Sequence, residues 1–267
     1  MTEPANSKDI LDAVSNLAKA VPIYQDAIQP AAKEVGKGLQ TIARTVNLAL
    51  EPFNGLVWGY DQIKEFISAK LAEKLKDTPQ ENISPPKASI AGPLLESLRY
   101  IGSESSLSEL YANLLATAMD KSTAPEAHPA FVELIRQMTS DEAKIMELFL
   151  SRDAYPLISI RAELKNQSGG YDHTVLINDL GESAQCERPE MSPFYIDNLR
   201  RLGLVELPSS YFLHDEGGFN KLESSAETNE ILENIKLNPE LNPRIIRGGV
   251  KLSPLGHLFI KACIKTK

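Results

Sequence analysis

Hydrophobic positions recur at helical spacing through the first half of the chain and give way to short apolar runs in the second half. The pattern is most regular from residue 106 to residue 150, where apolar side chains repeat every three or four residues in three consecutive segments. Ser106 with Glu109 and Thr139 with Glu142 have the spacing of capping boxes, which begin helices. The spacing predicts three short helices, each burying one face in a shared core.

The middle segment of the three follows the dipeptide His128-Pro129, and proline is tolerated at the first position of a helix. The four histidines are scattered, and none has a cysteine or another histidine at a metal-ligand spacing. We therefore interpret His128 as a residue that orients the start of its helix. Asp120 with Lys121 is interpreted as the end of the preceding helix.

Upstream of this core, two further amphipathic segments span residues 30 to 49 and 56 to 75. They predict a helical hairpin joined near Phe53, with a single kinked helix as the alternative. Residues 1 to 30 carry a weaker pattern, which predicts a loosely attached helix. The second segment presents its apolar stripe at Leu56, Tyr60, Ile63, Ile67, Leu71 and Leu75.

A polar, proline-bearing connector at residues 76 to 86 is predicted not to be helical throughout. A short helix is predicted directly after Pro93, ending near Ile101. Beyond Leu150 the helical periodicity ends and short runs typical of β-strands follow. Strands are predicted in YPLISIRAEL and, after the Gly169-Gly170 turn, in HTVLIND.

The remaining elements are a helix from Ser192 to Leu202, a strand LVEL, a long polar excursion, a strand VKL and a final helix. Helix, strand, helix, strand, long loop, strand, helix is the order of a winged-helix module. Residues 139 to 150 would be its first helix, Ser192 to Leu202 its recognition helix, and LVEL paired with VKL its wing. A DNA-binding version would have another helix between Tyr155 and Glu190, where none is evident.

The predicted fold is therefore mainly α, in two regions. Residues 1 to 138 form a helical region, comprising the hairpin and a bundle of short helices, with residues 1 to 30 weakly attached. Residues 139 to 267 form an α+β, winged-helix-like region. A chain of 267 residues with 42% hydrophobic composition is large enough to bury such cores.

The formal net charge of −8 argues against nonspecific nucleic-acid binding, which requires a phosphate-neutralising surface. The acidic excess is concentrated in the central helices, and we interpret it as a solvated helix face rather than a docking surface for a basic partner. Cys186 and Cys263 match no zinc or redox spacing and are expected to be reduced thiols. With no signal-peptide pattern and no apolar run long enough to span a bilayer, we expect a cytoplasmic protein.

Motifs of common enzyme classes are missing from the sequence: it contains no GxSxG, Walker-type phosphate loop, dinucleotide fingerprint or HExxH. We therefore expect a protein that is not an enzyme and uses no cofactor and no metal. A catalytic site assembled from dispersed acids would leave no such motif in the sequence.

The segments YANLLATAMD and HPAFVELIRQMTSDEAKIM resemble the signature of the Abi-alpha (abortive infection alpha) family of bacterial proteins. The resemblance is most specific from Pro93 to Phe149 and extends more loosely to the C-terminal region. It implies a part in bacterial defence against phage, as a non-enzymatic recognition or recruitment component. The partner would be a second defence protein or a phage component, and a homo-oligomer is also left open.

The segment FNGLVWGY is the first candidate contact site, because aromatic residues gather at the predicted hairpin turn. Such rings are favoured at a bilayer interface, although packing in a helical core explains them as well. The candidate contacts with a partner or with a membrane are Phe53, Trp58, Tyr60, Lys37 and Arg44.

The alternative hypothesis is a winged-helix DNA-binding regulator. Its contacts would come from the exposed side of the recognition helix and from the wing, at Tyr195, Asn198, Arg200, Arg201, Arg244, Arg247 and Lys251. Asp197 and Glu190 oppose such a contact, because a carboxylate repels phosphate. Winged-helix modules dock proteins as well as DNA.

Flotation with liposomes tests the membrane hypothesis. If the aromatic turn enters the interface, the wild type floats and a variant with Phe53→Ala and Trp58→Ala does not, since it lacks the rings that bury area there. Absence of binding by both proteins rejects the membrane contact.

Overall fold

The structure is a computed structural model that describes residues 59–101, 104–208 and 213–265, with only the backbone of Tyr60. Its contacts divide the chain into two compact units. The first unit holds the described residues up to 137 together with residues 261 to 265, and the second holds residues 138 to 260. Each unit has its own packing and is described separately.

In its described part, the first unit contains four α-helices: α1 (Tyr60–Lys74), α2 (Ala88–Ile101), α3 (Ser105–Met119) and α4 (Ala130–Arg136). Helix α1 buries the side chains of Ile63, Ile67, Leu71 and Leu75, which confirms this part of the predicted apolar stripe. Helix α3 is buried along nearly its whole length and provides the surface on which the other helices pack.

The connector between α1 and α2 is non-helical except for a short 3-10 turn at Gln80–Asn82, as predicted. Helix α2 begins earlier than predicted and carries Pro93 in its interior. Proline disfavours a helix interior, because it lacks a backbone N–H group. Ile90 and Ala91, which precede Pro93, are nevertheless helical, and burial of their side chains stabilises this first turn.

The capping box predicted at the start of α3 is wrong. The helix begins one residue before Ser106, and its N-cap residue, Glu104, makes no side-chain capping bond. Glu109 reaches instead to α1, where Lys70 Nζ lies 2.8 Å from its carboxylate and Lys74 also pairs with it. Glu109 therefore pairs with two lysines of the neighbouring helix, instead of accepting from a backbone N–H group at the start of its own helix.

The C-terminal segment of the first unit is a π-helical turn, Ile260–Ile264, whose carbonyl groups are bound by side chains of α3. Asn113 Nδ2 donates to the carbonyl oxygen of Cys263 at 2.9 Å, and Thr117 Oγ1 donates to that of Ala262 at 2.9 Å. Both donors are buried, so they satisfy carbonyl groups that solvent cannot reach.

The second unit contains helices and an antiparallel sheet. Its helices are α5 (Ser140–Leu148), α6 (Leu180–Ser183), α7 (Ser192–Arg201), α8 (Glu216–Glu223), α9 (Ala226–Lys236) and α10 (Pro254–Phe259). Its strands are β1 (Ala154–Leu164), β2 (Gly170–Ile177), β3 (Val205–Glu206) and β4 (Leu241–Leu252). Short 3-10 turns lie at Ala124–Glu126 in the first unit and at Pro189–Met191 in the second.

The sheet has the strand order β2-β1-β4-β3, with all neighbours antiparallel. The ladder between β1 and β4 is the longest, running from Ala154 opposite Lys251 to Leu164 opposite Leu241. Val205 pairs with Leu252, which confirms the predicted pairing of LVEL with VKL. The prediction of a mainly helical fold with strands in the C-terminal half is confirmed, whereas the assignment to the winged-helix class stays a prediction.

The long polar excursion predicted between β3 and β4 is wrong, because it contains the helices α8 and α9. Asp215 caps α8 by accepting from Gly218 N at 2.9 Å, and Ser225 caps α9 by accepting from Thr228 N at 3.1 Å. Their apolar residues share one core with the sheet, formed by Ile158, Ile160, Ala162, Ile177, Phe219, Leu222, Ile235 and Leu241. Burial against the sheet stabilises helices whose own apolar content is sparse.

His128 orients the start of its helix as predicted, since its Nδ1 accepts from Ala130 N at 3.1 Å. The interpretation of the central acids as a solvated face is wrong for Asp120, Asp141 and Glu142, which are all buried. Asp120 ends α3, where its carboxylate accepts from the backbone and hydroxyl of Ser122.

Removal of the side chains that hold the C-terminal turn should destabilise the first unit. We expect Asn113→Ala and Thr117→Val each to lower the free energy of unfolding by about 1 to 3 kcal/mol, the cost of leaving a buried carbonyl unsatisfied. Chemical denaturation measures the change, with Asn229→Ala as the control, because Asn229 bonds the Ser224 carbonyl at an exposed site. Equal effects of the three substitutions would contradict this role.

Candidate functional site

Helix α7 is the candidate functional element, since it lies where the sequence predicted a recognition helix. Its inward residues Ile196 and Leu199 are buried, and Leu202 follows at its C-terminal end. The polar residues on its flanks are held by helix α5, which begins at the predicted Thr139/Glu142 capping box. The geometry of α7 therefore depends on the first turn of α5.

Asp141, in that first turn, accepts hydrogen bonds from four different groups. Its Oδ1 atom accepts from Lys144 Nζ at 3.0 Å and from Glu187 N at 2.9 Å. Its Oδ2 atom accepts from Arg188 N at 3.1 Å and from the hydroxyl of Tyr195 at 3.0 Å. One carboxylate thus joins α5, the loop before α7, and α7 itself.

These donors keep Asp141 ionised. Burial by itself would raise the pKa of the carboxyl group, but hydrogen bonds from the Glu187 amide, Lys144, the Arg188 amide and Tyr195 hold the pKa below its usual value of 3.8. The same arrangement raises the pKa of Tyr195 to about 12, through burial of the hydroxyl and its bond to the charged carboxylate. Tyr195 is a permanent donor at neutral pH.

Glu142 makes the second link between the two helices. Its carboxylate accepts from Thr139 N and, at 2.6 Å, from Asn198 Nδ2 on α7. Asn198 in turn accepts from Arg201 Nε at 2.9 Å. Tyr195 and Asn198 therefore act inside the unit, whereas the sequence had suggested them as contacts with nucleic acid.

The outward side of the helix, which we call the α7 face, consists of Phe194, Asp197, Arg200 and Arg201, all exposed. Phe194 has 67% of its surface exposed, an unusual condition for a phenylalanine. Among the described residues, the side chain of Arg200 has neither a hydrogen-bond nor an ion-pair partner, although its backbone carbonyl accepts from Gly203 N. The α7 face thus combines an aromatic ring at one end with positive charge at the other.

Packing at the C-terminal end of α7 fixes where the face ends. Gly203 has a φ of +74°, the left-handed conformation that terminates helices and favours glycine. Ser253 donates its hydroxyl to the Gly203 carbonyl and accepts from Gly256 N at 2.8 Å, which docks helix α10 there. A Cβ atom on Gly256 would lie 2.0 Å from the Leu204 carbonyl oxygen, so only glycine fits.

The three cations predicted to follow a DNA backbone each lie beside a carboxylate. Arg244 Nη1 is 3.1 Å from Glu163, and Lys251 Nζ is 3.4 Å from Glu206. Arg247 binds both Glu216, at 3.0 Å, and Glu223 of helix α8. These pairs reduce the positive charge that the predicted wing can offer to phosphate.

The other candidate contacts belong to the segment for which the sequence predicted a hairpin. Lys37, Arg44, Phe53 and Trp58 fall outside the described residues. Tyr60 begins helix α1, and its side chain is likewise outside them. The structure therefore places two of the predicted contact residues, Arg200 and Arg201, on one exposed face with Asp197, which the sequence analysis expected to oppose contact with DNA. Phe194, which the sequence reasoning had not chosen, lies on the same face.

A signal for Phe194 was present in the sequence. Ile196, Leu199 and Leu202 define the inward side of the helix, and residue 194 lies two positions before Ile196, about 160° around the helix axis from it at 100° per residue. A phenylalanine at such a position is predicted to be exposed. Asp141 had no comparable signal, because three of its four donors lie 46 to 54 residues away along the chain.

Cys186 lies beside Asp141, and its chemistry follows from that position. Its Sγ atom is 3.6 Å from the Asp141 carbonyl oxygen. Burial, together with the nearby Asp141 charge, raises the pKa of the thiol to about 11. The thiol is therefore protonated at neutral pH, which makes it a poor nucleophile.

Metal sites and membrane-spanning helices are two further possibilities. Within the residues that the structure describes, no three His, Cys, Asp or Glu side chains are grouped so that they could hold a metal ion. In that same part of the chain, no helix has both the length and the apolar character needed to cross a bilayer.

Taken together, the described residues define a two-unit protein in which a helix held by buried carboxylates presents an exposed aromatic and cationic face. The chain belongs to the Abi_alpha family, described as abortive infection alpha, whose model matches residues 59–263. The match includes the Asp141 and Glu142 links and the whole α7 face.

A comparison with curated proteins finds no match. Among solved structures, the chain is similar to a protein from the hydrocarbon-degrading marine bacterium Alcanivorax borkumensis SK2, described as uncharacterized. The two sequences are 19% identical, the alignment covers 51% of this chain and 96% of the other, and the TM-score is 0.35.

Substitution of Asp141 by asparagine should destabilise the second unit by about 2 kcal/mol at neutral pH, because hydrogen bonds to a charged acceptor are lost. The folded-state pKa lies below 3.8, so this stabilisation is present above that pH and disappears as the pH falls through the folded pKa. The difference in unfolding free energy between wild type and Asp141→Asn should therefore shrink in acid.

Thermal and chemical denaturation over a pH series measure this difference. Asp197→Asn, which changes an exposed carboxylate on the same unit, serves as the control and should have little effect at any pH. A difference for Asp141→Asn that stays constant into strong acid would rule out the ionised carboxylate as the source.

Proposed function

We propose that this protein is a non-enzymatic recognition or recruitment component of abortive-infection defence, and that it binds a protein partner through the α7 face. The partner would be a second defence protein, a phage component or, because a homo-oligomer is also open, a second copy of the chain. In this proposal the winged-helix-like region serves protein docking in the cytoplasm, and the N-terminal aromatic segment is an additional contact for a partner or a membrane surface.

The observation that carries the proposal is the exposure of Phe194 on a helix whose other sides are fixed. Aromatic and arginine residues provide most of the binding energy at protein interfaces when water is excluded around them. A helix that is already ordered loses little conformational entropy on binding. The Asp141 and Glu142 links keep α7 in one position, so the face is preorganised for a partner.

The charge arrangement on the α7 face favours a protein over a nucleic acid as the partner. Arg200 and Arg201 lie at the C-terminal end of the helix, while Asp197 lies between them and Phe194. A phosphate backbone following this face would meet the Asp197 carboxylate. A protein surface with an apolar centre and an acidic border would complement all four side chains.

Membership of the family supports the defence role. The family description, abortive infection alpha, names the process, and the matched residues include every side chain of the proposed face. Binding rather than catalysis is in keeping with the state of the Asp141 cluster, whose carboxylate, phenol and thiol are each fixed in one protonation state at neutral pH.

A phage-challenge assay tests the proposal. Cells that express Phe194→Ala or Arg200→Glu should lose protection, with plating efficiency rising by about tenfold or more, since truncation of an interface anchor typically costs 2 kcal/mol or above. Val175→Ala, another exposed apolar side chain, is the matched control and should protect like the wild type. Full protection by both α7 variants at normal protein levels would reject the α7 face as the functional surface.

A further inference from the structure

Two large hydrophobic side chains are exposed more than any others among the described residues. Phe194, on helix α7, is 67% exposed, and Leu237, directly after helix α9, is 82% exposed. Both are in the second unit. Single exposed apolar residues are common in monomeric proteins. Phe194 and Leu237 therefore indicate a binding surface only if the charged and polar residues around one complement those around the other.

The polar residues around them are spaced in the same way. On α7, Arg201 lies seven residues after Phe194, and on α9, Glu230 lies seven residues before Leu237. At a rise of about 1.5 Å per residue, each pair spans about 10.5 Å of helix. Leu237 itself keeps helical backbone angles, with φ −60° and ψ −27°, so the spacing extends to it.

Antiparallel helices would therefore bring Leu237 opposite Phe194 at the same time as Glu230 meets Arg201. Halfway between, Asp197 would meet Asn234, whose amide group can donate to a carboxylate. The acid closest to Asp197 in this arrangement, Glu233, is already paired with Lys236 Nζ at 2.8 Å. The charges thus complement each other along both helices.

The charged side chains of Glu230 and Arg200 are available for such a contact. Within the part of the chain that the structure describes, Glu230 on α9 and Arg200 on α7 have no ion-pair partner, and they do not pair with each other in one chain. Their pairing across two copies would satisfy both. Antiparallel packing also places the negative C-terminal end of each helix dipole beside the positive N-terminal end of the other.

We propose that the α7 face binds helix α9 of a second copy of this chain. The contact places Leu237 of one copy against Phe194 of the other, with Glu230 beside Arg200 and Arg201. The proposal rests on the proposed function, because it assigns an occupant to the same face. It makes the chain its own partner, either in a closed dimer with two such contacts or in a head-to-tail assembly.

Sedimentation velocity of the full chain over a concentration series tests the contact. The wild type should shift from monomer to larger species as concentration rises. Leu237→Glu and Phe194→Glu should each remain monomeric at the highest concentration, because each places a charge in the apolar centre. Leu150→Glu changes another exposed leucine, 52% exposed at the end of α5, and should assemble like the wild type.

Charge inversion then identifies which surfaces meet. Arg201→Glu and Glu230→Arg should each weaken assembly by about tenfold, since an attractive pair becomes a repulsive one. The two variants mixed in equal amounts should assemble again, because each native surface finds its native complement and the two inverted surfaces also attract. A variant with both inversions should recover assembly on its own.

Two results would overturn the proposal: a wild type that is monomeric at every concentration, or an assembly that Leu237→Glu and the single inversions leave intact. Thermal melting of every variant shows whether a loss of assembly reflects unfolding. If the wild type is monomeric while Phe194→Ala still abolishes phage protection, the α7 face has a different occupant and the proposed function stands. If Phe194→Ala protects fully, the proposed function fails whatever the assembly state.

Discussion

The carboxylate of Asp141 is the constraint on which the second unit depends. A buried ion is costly unless several donors surround it, and here four donors come from α5, from the loop at residues 187 and 188, and from α7. Because the donors belong to separate segments, the ion can be satisfied only when those segments are in their folded positions. The charge therefore specifies one arrangement of α7 as well as stabilising it.

Fixing the inward side of α7 has a consequence for its outward side. Tyr195 and Asn198 are both used in the links to α5, whereas the adjacent residues Phe194, Asp197, Arg200 and Arg201 are exposed. One side of this short helix binds α5 and the other side is exposed. A chain with a net charge of −8 can therefore still present a local cationic and aromatic surface. In the proposed role, so small a surface would bind through preorganisation and a few anchor residues.

Sequence reasoning succeeded where the signal was local and failed where it was tertiary. The Thr139/Glu142 box and the stripe of α1 could be read from residue spacing. The pairing of Val205 with Leu252 is not local, and it was predicted from the order of the elements instead. Helices α8 and α9 were missed because few apolar residues mark them and burial against the sheet stabilises them. Glu109 was assigned to its own backbone although two lysines about 35 residues away compete for it.

The return of residues 261 to 264 to helix α3 has a consequence for biosynthesis. Asn113 donates a hydrogen bond to the carbonyl group of Cys263, which is 150 residues further along the chain. During translation, helix α3 leaves the ribosome long before residues 262 and 263 have been made, so the side chains of Asn113 and Thr117 lack these acceptors until then. A chain truncated before Ala262 would therefore lack these buried hydrogen bonds of the first unit, and such a chain is expected to be more susceptible to proteolysis.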